Sequence, residues 1–126
     1  MITYPEQAFL YNLQGACFYA QEQYDIAITS YQKAIALNPE FAEAHNNLGN
    51  IYLDLSQYEL SIEHFEWAVA YKPDFAEAHN NLGIANRVVG KLDEAGKNFD
   101  KALSINPDFI SANNCRGLLH QDMGQH

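Results

Sequence analysis

Phe41-Ala-Glu-Ala-His-Asn-Asn-Leu-Gly49 recurs unchanged as Phe75-Ala-Glu-Ala-His-Asn-Asn-Leu-Gly83, 34 residues further along a chain of 126 residues. Three prolines, Pro39, Pro73 and Pro107, stand at the same spacing. A fixed period of this length is typical of stacked helical repeats. The period therefore predicts three repeats, 8–41, 42–75 and 76–109, followed by a terminal segment, 110–126.

Each repeat is predicted to contain two helices. On the second helix a small, an aromatic and a small residue follow at i, i+4 and i+7, so they share one face. A glycine on the first helix allows the two backbones to approach closely. The predicted helices are 7–21, 24–37, 41–55, 58–71, 75–89, 92–105 and 109–123. The second-helix triplets are Ala27, Tyr31 and Ala34; Ser61, Phe65 and Ala68; and Ala95, Phe99 and Ala102, with Gly15, Gly49 and Gly83 on the first helices.

This order of Leu-Gly, Tyr, Ala, Phe, Ala and Pro resembles the tetratricopeptide repeat family over nearly the whole chain. The resemblance implies an all-α fold, a right-handed α-solenoid of three helix-turn-helix repeats plus a C-terminal helix. Gln14 replaces the expected leucine of the first repeat, and Asn86 the expected tyrosine of the third. Asn86 either weakens the packing of its repeat or receives a hydrogen bond from a neighbouring helix.

The terminal segment, 110–126, begins another first helix and stops where a turn to a second helix would follow. Two interpretations stay open. Asn113, Arg116 and His120 are polar where a missing partner would pack, which favours a capping helix. Met123-Gly124-Gln125 looks like the opening of another turn, which favours a fragment of a longer array. The open ends of such an array also allow self-association.

The charge balance limits the class of partner. The chain has 7 Lys and Arg residues against 16 Asp and Glu residues, a formal net charge of −9, which disfavours nucleic acid and anionic membranes. No run of about 18 apolar residues predicts a membrane span, and the N-terminal residues do not have the pattern of a signal peptide. Two distant cysteines suit a reducing compartment, so a cytoplasmic location is expected.

Asparagines recur every 34 residues at places that, by the resemblance, point into a concave groove lined by the first helices. An asparagine side chain has both a donor and an acceptor and can hold the backbone of an extended peptide. The alternative is that these residues only solvate an exposed helix face. The predicted peptide-binding residues are Asn12, Tyr19, Glu43, Asn46, Asn47, Asn50, Asp54, Glu77, Asn80, Asn81, Arg87 and Asn114.

The expected partner is a neutral to basic protein or peptide segment with an apolar anchor, because acidic residues line the middle of the predicted groove. Members of the family that hold acidic chaperone tails use a clamp of Lys, Arg and Asn. None of the corresponding places here is cationic. They are Asn12, Ala16, Asn47, Glu77 and Asn81, or, one repeat later, Asn46, Asn50, Asn81, Ser111 and Cys115.

No catalytic motif, cofactor site or metal site is predicted. His45 and His79 are one repeat apart and are expected to occupy equivalent places at the edge of the core, without a cysteine or carboxylate at ligand spacing. Glu63 and Glu66 flank Trp67 on a second helix, a pattern typical of a solvated face. The sequence thus predicts a protein–protein interaction module. The alternative is a substrate-positioning fragment of a larger enzyme, such as a glycosyltransferase or sulfotransferase.

Overall fold

A computed structural model of the chain describes residues 4–108, which form helices and turns and contain no strand. None of the helices within residues 4–108 is long and apolar enough to cross a bilayer. The all-α fold is confirmed, while the predicted C-terminal helix, 109–123, lies outside the described residues. The helices are α1 (Tyr4–Ala20), α2 (Tyr24–Leu37), α3 (Ala42–Asp54), α4 (Tyr58–Tyr71), α5 (Ala76–Val88) and α6 (Leu92–Ile105).

The second helices α2, α4 and α6 have the bounds that the sequence predicts, and α3 and α5 differ by one residue at each end. The start of α1 is the largest difference, at Tyr4 instead of residue 7. Pro5 accounts for it, because a proline in a first helical turn loses no hydrogen bond and has the φ angle that a helix needs.

Each pair of helices packs through a glycine and an aromatic ring. A Cβ atom added at Gly49 would lie 2.5 Å from Cε1 of Phe65, so only glycine permits this approach. Gly15 and Gly83 meet Tyr31 and Phe99 in the same way. The small residues on either side of each ring are buried as predicted, namely Ala27, Ala34, Ser61, Ala68, Ala95 and Ala102.

The prolines lie in the turns between repeats. The backbone N–H of Phe41 donates to the carbonyl of Asn38 over 3.1 Å, which closes a turn with Pro39 at its second position. The Asn38 side chain also accepts a hydrogen bond from the N–H of Glu40, at 3.3 Å. The following helix begins at Ala42, so the proline stands before the helix and not within its first turn.

Within each repeat a residue with positive φ follows the first helix, two residues beyond its end. These residues are Glu22 (59°), Ser56 (61°) and Gly90 (87°), 34 residues apart. The next backbone N–H donates back into the helix, as from Gln57 to the Tyr52 carbonyl at 2.8 Å. This left-handed ending reverses the chain within a few residues and starts the antiparallel second helix.

The repeats stack with their first helices on the inside of the curve. Cα atoms of α1 and α3 approach within 8 Å, as do those of α3 and α5. Among the described helices, α2 and α4 do not approach each other so closely, and neither do α4 and α6. The first helices therefore form the concave side of the solenoid, and the second helices form the convex side.

Asn86 is accommodated through a hydrogen bond. Its side chain is buried, and its Nδ2 donates to Oδ1 of Asn98 on α6 at 2.8 Å. Of the two expectations for this position, the hydrogen bond to a neighbouring helix is present, with Asn86 as the donor. The pairing satisfies an amide that would otherwise be buried without a partner.

The close contact of Gly49 with Phe65 leads to a test. Replacing a helical glycine with alanine normally stabilises a helix by about 1 kcal/mol. Here Gly49→Ala should instead lower the free energy of unfolding by about 1–3 kcal/mol, because the new Cβ displaces the ring. Urea denaturation measures the change. Adding Phe65→Leu to Gly49→Ala should restore part of the loss, and a more stable Gly49→Ala protein would contradict this packing.

Candidate functional site

Hydrogen bonds join four of the predicted asparagines of α1, α3 and α5 from one repeat to the next. Asn47 Nδ2 donates to Asn12 Oδ1 at 3.0 Å, and Asn81 Nδ2 donates to Asn46 Oδ1 at 3.1 Å. Both bonds span 35 residues, from one first helix to the preceding one. We call these four residues the asparagine ladder. The ladder holds successive repeats in register, a role that sequence reasoning missed.

The asparagines are not equally accessible. Asn47 and Asn81 are half-buried, as are Asn12 and Asn50. Asn46 and Asn80 are only 2% and 3% exposed, so they lie between neighbouring first helices and not on the open groove where the sequence had placed them. Their contact with a peptide remains a prediction.

Asn80 occupies the place of Asn46 in the third repeat. Asn46 Oδ1 accepts a hydrogen bond from the repeat that follows it. Asn80 Oδ1 is buried, and within residues 4–108 it has no hydrogen-bond partner. Asn114, the last member of the predicted row, lies outside the described residues.

Tyr19 and Asp54 form a further link between the first two repeats. The Tyr19 hydroxyl donates to the Asp54 carboxylate, again across 35 residues. Burial raises the pKa of Tyr19 well above its ordinary value, and the hydrogen bond and the negative charge of Asp54 raise this pKa further. The phenol therefore stays protonated at physiological pH and keeps its hydrogen bond to the Asp54 carboxylate.

Acidic side chains occupy the middle of the concave side. Glu43 is half-buried and accepts a hydrogen bond from Lys72 Nζ at 3.2 Å. Lys72 Nζ also lies 4.8 Å from the centroid of the Phe75 ring. The charge of Lys72 is therefore held in the turn between α4 and α5. Glu77 is exposed and Arg87 is half-buried. The concave side thus combines amides and carboxylates with the cations of Lys72 and Arg87.

The histidines of α3 and α5 are equivalent, as predicted. His45 Nε2 lies 2.9 Å from the Pro39 carbonyl oxygen, and His79 Nε2 lies 2.9 Å from that of Pro73. Both imidazoles are buried. His64 on α4 lies beside His45, with its Nδ1 3.2 Å from Nδ1 of His45.

This histidine pair has a single neutral arrangement. A carbonyl oxygen only accepts, so His45 must carry its hydrogen on Nε2 and present an unprotonated Nδ1. His64 must then donate from its own Nδ1. Burial lowers the pKa of both histidines, and the proximity of His45 lowers that of His64 further, against a smaller raising effect of Glu63. Two neutral rings are therefore favoured.

The pair does not extend into a metal-binding group. Within the described residues, three or more His, Cys, Asp or Glu side chains nowhere come together in an arrangement that could hold a metal ion. The rings of Tyr52, Trp67 and Tyr71 surround the two imidazoles instead, with centroids 5.6–6.4 Å from the nearer one. The histidines thus belong to an aromatic cluster between α3 and α4.

Family models match most of the chain. The model described as "TPR repeat" matches residues 15–56 and 49–86, and the model described as "Tetratricopeptide repeat" matches residues 76–109. No curated protein matches the chain significantly. The matched ranges together include all the helices from α2 to α6.

Several solved structures have the same fold. The first TPR domain of human RPAP3 has a TM-score of 0.92 and 25% identity over 96% of this chain and 95% of its own. The first TPR of Spaghetti (RPAP3), solved with the HSP90 peptide SRMEEVD, has a TM-score of 0.92 and 24% identity over 95% of both chains. The crystal structure of MamA has a TM-score of 0.88 and 27% identity over 95% of this chain and 70% of that one.

The histidine pair should make the protein less stable in acid. In the unfolded chain a histidine titrates near its ordinary pKa of about 6.5, whereas the folded protein holds the pKa of both residues lower. The unfolded state therefore binds more protons below about pH 6.5, and stability is lost as the pH falls through that value. The melting temperature, followed by circular dichroism, should be lower at about pH 5 than at pH 7.5.

The variant His64→Asn isolates this effect. Its amide can still donate to His45 Nδ1 but does not titrate, so the acid-induced decrease in melting temperature should be smaller than in the wild type. His126→Asn is the matched control, because it replaces one imidazole with an amide outside the histidine pair. An equal decrease in the wild type and His64→Asn would contradict the role of the pair.

Proposed function

The chain belongs to the tetratricopeptide repeat family, and from this premise we propose that it is a protein-interaction module that binds an extended peptide or protein segment along the concave side. In this proposal it performs no catalysis of its own and acts in the cytoplasm. The main support is the asparagine ladder. Asn47 and Asn81 each use one N–H in the ladder, and each amide has a second N–H and a carbonyl oxygen with which to bond a peptide backbone.

The fixed orientation of these amides supports the proposal further. A side chain that is already held by a hydrogen bond loses little conformational freedom when a ligand binds, so more of the new interaction appears as affinity. Asn47 and Asn81 are one repeat apart on adjacent first helices. They can therefore contact successive parts of one extended segment, as rungs that bind the backbone whatever its side chains are.

The charge of the concave side determines which segment fits. The Spaghetti domain was solved with SRMEEVD, a peptide that contains three acidic residues and one basic residue. At the places of the family's cationic clamp this chain has neutral side chains and Glu77, and Glu43 and Asp54 add acidic groups nearby. An acidic tail would meet repulsion here. The proposed guest is therefore neutral to basic.

The first repeat supplies an apolar region at one end of the same side. Phe9 and Leu13 are 54% and 45% exposed on α1. Leu13 occupies the repeat position that holds Asn47 and Asn81 in the other two first helices. In the first repeat the groove therefore has an apolar side chain in place of an amide. A guest with one apolar side chain near its end would bury this surface, and that burial would set its direction along the groove.

The charge preference can be measured with two labelled peptides, SRMEEVD and SRMKKVK, in which lysines replace the three acidic residues. Fluorescence anisotropy should give a Kd at least about tenfold lower for SRMKKVK, because the carboxylates of the concave side attract it. In Glu77→Lys the preference for SRMKKVK over SRMEEVD should become weaker or be reversed. The substitution removes a carboxylate and places a cation where clamp-containing relatives have one.

Glu94→Lys is the matched control for that substitution. It changes the net charge by the same amount but lies on the second helix α6, away from the concave side. The ratio of the two Kd values should stay close to that of the wild type. Tighter binding of SRMEEVD by the wild type, or an equal effect of the two substitutions, would refute the proposed preference.

A further inference from the structure

The second repeat exposes two stacked aromatic rings on α4. Trp67 is 45% exposed and Tyr71 is 37% exposed, and their ring centroids lie 5.6 Å apart at an interplanar angle of 13°. The buried His45 imidazole lies 6.4 Å and 5.7 Å from the two centroids. The two rings therefore pack against the buried His45 imidazole on their inner side and are exposed to solvent on their outer side.

Three glutamates follow the same side of α4. Glu59, Glu63 and Glu66 line, together with Trp67 and Ala70, an open groove of about 450 Å³. No ion pair involves these three carboxylates within residues 4–108. We call Glu59, Glu63, Glu66, Trp67 and Tyr71 the aromatic–acidic stripe.

The other repeats provide an internal comparison. At the places of Trp67 and Tyr71 the first repeat has Lys33 and Leu37. The fold therefore does not require an exposed tryptophan at this position. Of the three glutamates, Glu59 has an acidic counterpart in both other repeats, Asp25 and Asp93, whereas Glu63 has none. The full comparison for the places of Glu63, Glu66, Trp67 and Tyr71 is Thr29, Gln32, Lys33 and Leu37 in the first repeat, and Lys97, Asp100, Lys101 and Ile105 in the third.

We propose that the aromatic–acidic stripe is a second docking surface, which binds an arginine side chain of a partner protein. The guanidinium would stack on the exposed face of Trp67 and donate hydrogen bonds to Glu63 or Glu66. The groove contains carboxylates beside a ring face, and a planar cation satisfies both, through attraction to the ring and through charge-assisted hydrogen bonds.

Arginine fits this surface better than the alternatives. A purely apolar guest would bury carboxylates without partners, which is costly. A lysine ammonium is a compact, strongly hydrated charge that cannot stack as a plane or donate two parallel hydrogen bonds. The stripe lies on a second helix, so this inference concerns a surface separate from the concave side.

The only tryptophan of the chain reports on this surface directly. A capped peptide Gly-Arg-Gly-Arg-Gly, titrated into the protein at physiological salt, should change the Trp67 emission saturably. The lysine analogue should bind more weakly, and the glutamine analogue should cause no saturable change. Absence of a saturable change with the arginine peptide, or tighter binding of the lysine peptide, would overturn the proposal.

Two double variants identify the groups responsible. Glu63→Gln with Glu66→Gln should raise the Kd for the arginine peptide about fivefold or more, because the charge-assisted bonds are lost while the ring remains. Asp93→Asn with Glu94→Gln, on α6, removes the same charge elsewhere and should leave the Kd nearly unchanged. Equal effects of the two pairs would show only a response to net charge and would overturn the proposal.

Two further measurements complete the test. The melting temperature of Glu63→Gln with Glu66→Gln should stay close to that of the wild type, because both side chains are exposed. The control pair removes two first-turn carboxylates of α6 and the ion pair of Glu94 with Lys97, so it should lower the melting temperature slightly. A Trp67 emission that depends on protein concentration without peptide would show that a second copy occupies the stripe, which would also overturn the proposal. The effect of Glu77→Lys on the Kd of SRMKKVK should be the same with and without Glu63→Gln and Glu66→Gln. Glu77 lies on the concave side and not on the stripe, so the two proposed surfaces can be tested separately.

Discussion

The contact between a first-helix glycine and a second-helix aromatic ring is the constraint on which the rest of the structure depends. In each repeat the ring lies where a Cβ atom would be, so the two helices can pack at this distance only if the first helix has glycine there. The same contact occurs at Gly15, Gly49 and Gly83, which gives the three repeats the same internal geometry. Identical units stacked in the same way form a regular solenoid, in which equivalent residues of successive first helices lie side by side.

The hydrogen bonds between repeats follow from this regularity. Asn12 with Asn47, and Asn46 with Asn81, are joined at the same sequence separation because each first helix has the same position relative to the previous one. An amide that is buried without a partner costs about 1–3 kcal/mol, so these pairs disfavour any slip of one repeat against the next. They also orient the amides on the concave side before any ligand is present.

The sequence alone was sufficient for the architecture, since period, turn residues and the small–aromatic–small face are local signals that agree with one another. It could not separate Asn46 from Asn47. The two are neighbours of the same type, and their different burial depends on how closely adjacent first helices pack. It also could not find the pairing of His45 with His64, which lie on different helices 19 residues apart. No periodic signal marks that contact, because the other repeats have no histidine at the place of His64.

Comparison of the three repeats shows which residue types the fold requires and which have another explanation. A residue type that recurs in every repeat, such as the glycine or the central aromatic ring, is explained by packing that all three units share. Trp67, Glu63 and His64 have no counterpart of their type in the first or third repeat, although those repeats form the same helix pairs. Packing of the helix pair therefore does not account for them.

His64 is explained by its contact with His45, whereas Trp67 leaves much of its ring on the surface beside carboxylates that form no ion pair within the described residues. An exposed aromatic ring and unpaired like charges add little to the stability of an isolated solenoid, so their concentration on one helix favours a role in contact with another molecule.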